Sequence, residues 1–327
     1  MEQLTKLKEI FLKTLKERVN PTEPRGLYDP VHYILELGGK RLRPLLSLMA
    51  ADMYGAKMED AMDCAIAVEV FHNFTLLHDD IMDQADLRRG KPTVHKKWDE
   101  NTGILSGDAM LILAYKQLDA YEGDTYKKLM TLFNRTALEV CEGQQYDVNF
   151  ETRDDVTIDE YLLMIKLKTS VLLGCALQMG AIVAGASEQQ QKFIYDYGIH
   201  LGIAFQLMDD YLDAYGDPET FGKEVGGDIR ENKKTYLYLK SLEHVENHDE
   251  LKRWFAMEQS TLSDLEMDDK KENVKTLFHK SGGAKRTLDA INDFTQKALN
   301  DIQQLEISDT NKQMLKAFSL ELMDRVS

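Results

Sequence analysis

The chain has 327 residues, 43% of them hydrophobic, and a formal charge of −16. That apolar share suffices for a substantial core and argues against disorder over most of the length. The acidic balance argues against a nucleic-acid partner, because holding a polyphosphate backbone needs a surplus of lysine and arginine. Prolines at 21, 24, 30, 44, 92 and 218 leave long proline-free stretches in a sequence rich in good helix formers, so helix is expected almost throughout. Cysteines 64, 141 and 175 form no CxxC pair, which fits buried thiols in a reducing compartment. The start, MEQLTKLKEIF, has no uninterrupted apolar run, so neither a secretory signal nor a transmembrane anchor is expected and the location reads as cytoplasmic.

In chain order, Leu4, Leu7, Phe11, Leu15 and Val19 mark an amphipathic first helix that ends at Asn20 and Pro21. A short helix from Tyr33 to Leu37 leads into Gly38-Gly39-Lys40-Arg41-Leu42-Arg43-Pro44, where three cations beside a glycine pair fit either anion capture or an ordinary glycine-terminated helix. A long apolar helix follows from Met58 to Asp83, then a loop from Gln84 to Thr93 carrying Arg88, Arg89 and Lys91. Helices are predicted over Gly103 to Tyr121, Tyr126 to Asp147, Ile158 to Ala186 and Gln189 to Ala214. Within the third, the apolar run Val171 to Leu177 is too short to span a membrane and reads as core, with Lys168 and Thr169 as polar groups in apolar company. A glycine-rich loop, Gly222 to Asp228, contains Lys223, and Asn232-Lys233-Lys234-Thr235 opens a further helix. The charged remainder holds two more amphipathic helices, marked by Ile291, Ala298 and Ile302 and by Leu315, Phe318 and Leu322.

Two segments carry the chemistry. Asp79, Asp80 and Asp83 crowd one helical face, and Asp209, Asp210 and Asp213 repeat the spacing. Clustered carboxylates at a helix C-terminus oppose both one another and the macrodipole, a conflict that a bound cation would resolve. Hard oxygen donors in this pattern suit Mg²⁺, which bridges carboxylates to a substrate's phosphates. A solvated acidic face is the plainer alternative for either triplet alone.

Taken together, GGKRLRP, LLHDDIMD with RRGKP behind it, GQQYD, KT, FQLMDDYLD and GKEVGGDIRENKKT resemble the trans-isoprenyl diphosphate synthases of the polyprenyl synthetase family over about residues 30 to 240. The resemblance implies a large single-domain all-α bundle across 1–327, with ten or more helices around a central cavity, usually as a homodimer. It implies three Mg²⁺ on an allylic diphosphate (dimethylallyl, geranyl or farnesyl), held by Asp79, Asp80, Asp83 and Asp209, with Asp210 and Asp213 nearby or acting through water. Arg88, Lys168, Lys223 and Lys233 would contact that diphosphate, while Lys40, Arg43, His72 and Arg89 would hold isopentenyl diphosphate. Thr169 and Gln206 would present oxygen dipoles to the carbocation formed on ionisation. Chain length would be set below the aspartates by bulky Phe74 and small Thr75, a pattern implying geranylgeranyl diphosphate, with farnesyl or longer products as the alternative. Competing readings are a class I terpene cyclase, a His-Asp phosphohydrolase suggested by His72 and the His78-Asp79 pair, and a noncatalytic partner subunit.

Overall fold

The computed structural model describes residues 2–217, 225–244 and 248–324. They are helical nearly throughout, as the composition predicts, and the one sheet among them is a hairpin of two two-residue strands. The described residues fall into two compact units, Met1–Arg135 with Cys175–Lys192 and Thr136–Gly174 with Phe193–Ser327.

The first unit begins with α1 (Glu2–Arg18), α2 (Arg25–Glu36) and α3 (Leu42–Met53). On α1 the predicted stripe is buried at Leu7, Phe11, Leu15 and Val19. Helix α2 starts earlier than the sequence predicts and runs through Pro30, its sixth residue, which has no N–H to give to the carbonyl of Gly26. The long apolar helix opens as a 3-10 turn, Met58–Ala61, and continues as α4 (Met62–Met82), buried on most of its circumference. The loop expected over 84–93 contains a hairpin, β1 (Leu87–Arg88) and β2 (Lys91–Pro92). Its central residues Arg89 and Gly90 have φ of 54° and 73°, the positive pair that matches a turn to strand twist. Short α5 (Val94–Lys97) and α6 (Glu100–Gln117) follow, the latter capped by Asp99 accepting from the Thr102 N–H at 2.8 Å.

Helix α7 (Gly123–Glu151) is longer than predicted at both ends. The single helix expected over 158–186 is interrupted: α8 (Ile158–Ile165), capped reciprocally by Thr157 and Glu160, gives way to a π turn at Lys166–Ser170 before α9 (Val171–Val183). Ile158–Val183 is long and apolar enough by composition to cross a membrane, but 67% of its most apolar window is buried inside the protein. Helix α10 (Glu188–Tyr215) carries the second aspartates, and α11 (Gly227–Arg230) and α12 (Tyr236–Leu242) follow, with Thr235 at the N-cap of α12. The remainder forms α13 (His248–Phe255), α14 (Asp264–Lys280), α15 (Gly283–Gln304) and α16 (Asp309–Met323). The predicted stripes of the last two are buried at Ile291, Ala298 and Ile302 and at Leu315 and Leu322. In this charged region the fully buried Lys270 is satisfied by Asn232 Oδ1 at 2.6 Å and the Met257 carbonyl at 3.3 Å.

Candidate active site

In the first unit α4 delivers Asp79 and Asp80 in its last turn and Asp83 as its C-cap. The hairpin brings Arg88 back onto them: its Nε lies 2.8 Å from both oxygens of Asp80, and its Nη2 lies 3.8 Å from Asp79 Oδ2. The Asp80 side chain is 3% exposed. Burial raises its pKa, with Arg88 opposing, so the arginine is what keeps an anion tolerable there. Tyr33 fixes the far end of the hairpin by donating to the Pro92 carbonyl at 2.7 Å.

The residues predicted for the second diphosphate gather in the same unit. Arg43 Nη1 lies 3.2 Å from His72 Nε2, which places the start of α3 against the middle of α4. Burial holds the His72 pKa well below its ordinary value, and the charges of Arg43 and Arg89 lower it further, so the ring is neutral at neutral pH. Burial also lowers Arg43 and Arg89. The carboxylate that offsets both is Glu69, which is already ion-paired with Arg41, the two side chains being 2% and 3% exposed. Arg43 Nε is buried with no hydrogen-bond partner among the described residues. The cluster thus holds more positive charge than its own acids balance. Arg89 donates to the Gly38 carbonyl and lies flat against Gly39, where a Cβ would stand 2.7 Å from its Nη1. Only glycine fits beneath that guanidinium.

In the second unit the π turn sets Lys168 and Thr169. It lies between two helices that approach it at glycines: a Cβ on Gly143 of α7 would come within 2.2 Å of the Lys168 nitrogen, and one on Gly202 of α10 within 2.8 Å of Ser170. Lys168 Nζ reaches Asp147 at 2.5 Å, which gives the GQQYD motif a role: its glycine admits the turn and its aspartate orients the lysine. Thr169 Oγ1 donates to Gln206 Oε1 at 3.3 Å, and Gln206 Nε2 donates to Asp210 at 3.2 Å. Asp210 also accepts from the buried Tyr161 hydroxyl. Burial raises the pKa of Asp210, with Tyr161 and Gln206 opposing and the charges of Asp209 and Asp213 adding to the rise, and burial also raises Asp228, with the charges of Asp210 and Asp213 adding. Asp213 Oδ2 accepts from the Asp228 N–H at 2.9 Å, and Lys233 Nζ lies 3.1 Å from Glu231 and 4.0 Å from Asp228. Lys223 lies outside the described residues. Sequence reasoning missed Tyr161, Asp228 and the partner of Lys168; a tyrosine seven residues before the KT pair carries no signal of its own.

Carboxylate oxygens, such as those of Asp79, Asp80 and Asp83 in the first unit and of Asp209, Asp210 and Asp213 in the second, are the hard donors that Mg²⁺ takes. Asp80 and Asp210 have protein partners, and among the described residues no group of three acidic, histidine or cysteine side chains converges to hold a metal. Below the aspartates, the Phe74 ring lies 5.5 Å from Phe71 and 4.9 Å from His78, and the Thr75 hydroxyl donates to the His72 carbonyl at 2.8 Å.

Buried arginines beside helix-borne aspartates in an all-α fold define a protein suited to an anionic ligand. Comparison with known proteins carries this further. The family model described as polyprenyl synthetase matches residues 24–273, and the chain belongs to that family of prenyltransferases. A geranylgeranyl diphosphate synthase of Methanosarcina mazei is 42% identical over 231 residues, 70% of this chain and 71% of that protein. A crystal structure of a geranylgeranyl pyrophosphate synthase is 68% identical, covers 100% of both chains and has a TM-score of 0.97. A polyprenyl synthase from Caulobacter crescentus CB15, complexed with calcium and isoprenyl diphosphate, is 28% identical with a TM-score of 0.86, covering 99% of this chain and 98% of that one. The family assignment displaces the cyclase and phosphohydrolase readings.

Proposed function

We propose that this chain is a short-chain trans-prenyltransferase that condenses isopentenyl diphosphate with an allylic diphosphate and releases geranylgeranyl diphosphate. The observation that carries the reading is the buried cluster of Arg43, His72 and Arg89, whose nearby carboxylates Glu69 and Asp80 are already paired with Arg41 and Arg88. Such a cluster is suited to a polyanion. Lys40, Arg43, His72 and Arg89 would hold isopentenyl diphosphate, and Arg88, Lys168, Lys223 and Lys233 the allylic diphosphate. Three Mg²⁺, held by Asp79, Asp80, Asp83 and Asp209 with Asp210 and Asp213 in support, would offset the charge that builds on the leaving diphosphate. Arg88 would then exchange part of its contact with Asp80 for substrate oxygens. Asp147 holds the Lys168 ammonium in place, and the carboxamide oxygen of Gln206, fixed between Thr169 and Asp210, would present its dipole to a developing cation. Isopentenyl diphosphate attacks the allylic cation through its double bond, and its proton leaves to the diphosphate, so no side-chain nucleophile is required.

The names of the relatives at 42% and 68% identity support the product assignment. A cytoplasmic homodimer is part of the proposal. Ile104, Leu105 and Ile112 on α6 are 44%, 60% and 66% exposed, an apolar stripe suited to a second copy. The test is incubation of purified protein with labelled isopentenyl diphosphate and each of dimethylallyl, geranyl and farnesyl diphosphate, with Mg²⁺ or with EDTA, followed by mass spectrometry of the extracted lipids. Metal-dependent appearance of a twenty-carbon product is expected; consumption of the allylic ester without uptake of label would refute the reading.

A further inference from the structure

The loop between α2 and α3 has a backbone that its glycines admit readily but leave loose, and that Arg41 does not favour. Gly38, Gly39 and Arg41 have φ of 86°, 116° and 55°, so three of four consecutive residues have positive φ, one of them not glycine. The left-handed Arg41 persists only when its surroundings fix it. Three cationic side chains do so. Arg41 donates to the Leu35 carbonyl and to Glu69, Arg89 donates to the Gly38 carbonyl, and Lys8 donates to the Gly39 carbonyl at 2.9 Å. Lys8 belongs to α1, ahead of residue 24, where the family match begins. Its neighbours Leu7 and Phe11 are 6% and 0% exposed, so the lysine stands on a firmly seated helix. The loop's flank toward α1 borders a cavity of about 520 Å³ lined by Leu12, Leu15, Leu35 and Arg41, spanned at the loop by the Lys8 bond and at the end of α2 by Lys16 Nζ donating to Glu36 Oε1 at 3.2 Å.

We propose that Lys8 is a positioning residue for the isopentenyl diphosphate subsite. The peptide group is planar and trans, so fixing the Gly39 carbonyl fixes the Lys40 N–H on the opposite side and with it the direction in which Lys40 leaves the loop. The same constraint sets the start of α3, where Arg43 meets His72. Loss of the ammonium frees the Gly39 peptide to rotate, and the subsite then binds its diphosphate from a mixture of loop conformers. The inference rests on the assignment of Lys40 and Arg43 to isopentenyl diphosphate.

Steady-state kinetics on Lys8→Met, Lys8→Arg and Arg43→Gln test it, each with isopentenyl and allylic diphosphate varied separately. Lys8→Met keeps the aliphatic stem, so folding is preserved while the charge-assisted bond is removed. The expected result is a rise of about tenfold in KM for isopentenyl diphosphate, with kcat and the allylic KM within about twofold and an unchanged Tm. Lys8→Arg should restore most of that KM. An unchanged KM in Lys8→Met overturns the proposal, as does a parallel decline in kcat, both KM values and Tm, which would mark a merely structural lysine. Arg43→Gln separates the two readings: if it raises KM for isopentenyl diphosphate and Lys8→Met does not, only the Lys8 proposal falls, and if neither does, the subsite assignment falls with it.

Discussion

His72 occupies a position where an imidazole is kept from ionising. Burial, then Arg43 and Arg89, lower its pKa, whereas in the unfolded chain it takes up a proton near pH ~6.5. Between those values the unfolded state binds more protons, so this residue makes stability fall as pH drops below about 6.5, by up to about 1.4 kcal/mol per pH unit. His72→Gln removes the proton site. The wild-type stability minus that of the variant, from urea unfolding at pH 7.5 and 5.5, is therefore expected to decrease toward the acid side; a difference independent of pH would contradict the assigned environment. Phe74 tests a different aspect of the same helix. If its ring closes the bottom of the product channel, Phe74→Ala lengthens the prenyl products seen by mass spectrometry. An unaltered product profile would mean that the ring serves only its packing against Phe71 and His78.

Among elements, the π turn at Lys166–Ser170 decides where the KT pair points. Its fit against α7 requires the absence of a side chain at Gly143, so Gly143→Ala forces backbone apart from backbone, at a cost of about 1–3 kcal/mol in unfolding free energy. Prenyl transfer should fall with it, because Lys168 and Asp147 separate. A variant with wild-type stability and turnover would show the contact to be incidental. This turn also marks the limit of what the sequence conveys. Helices α1 and α15 were legible because apolar residues recur at helical spacing within each, α4 because it is apolar on most sides, and the aspartate and basic motifs because each is contiguous. One extra residue in a helical turn leaves no trace in such a pattern. Nor do the clamps that tie distant segments together: Lys8 to Gly39, Lys168 to Asp147, Arg41 to Glu69 and Tyr161 to Asp210 join residues 31, 21, 28 and 49 positions apart. Each partner alone looks like an ordinary surface or core residue, and only the fold makes it part of the site.

For the molecule as a whole, the exposed stripe on α6 leads to a prediction about assembly. Ile112→Glu and Leu105→Glu place charge on a face proposed to be dry between two copies, where an unpaired carboxylate is costly. Sedimentation of the double variant should show a shift from dimer to monomer at micromolar protein; an identical sedimentation coefficient would locate the interface elsewhere.

The segment Ile158–Val183 has one further consequence. Its most apolar window has a mean hydropathy of 1.5, within the range of sequences that partition into lipid, and only enclosure by the folded protein hides it. An unfolded chain therefore exposes, for a time, a long apolar surface to other chains. Substitutions that slow the wrapping of this segment would deplete active enzyme by aggregation as well as by lowered equilibrium stability.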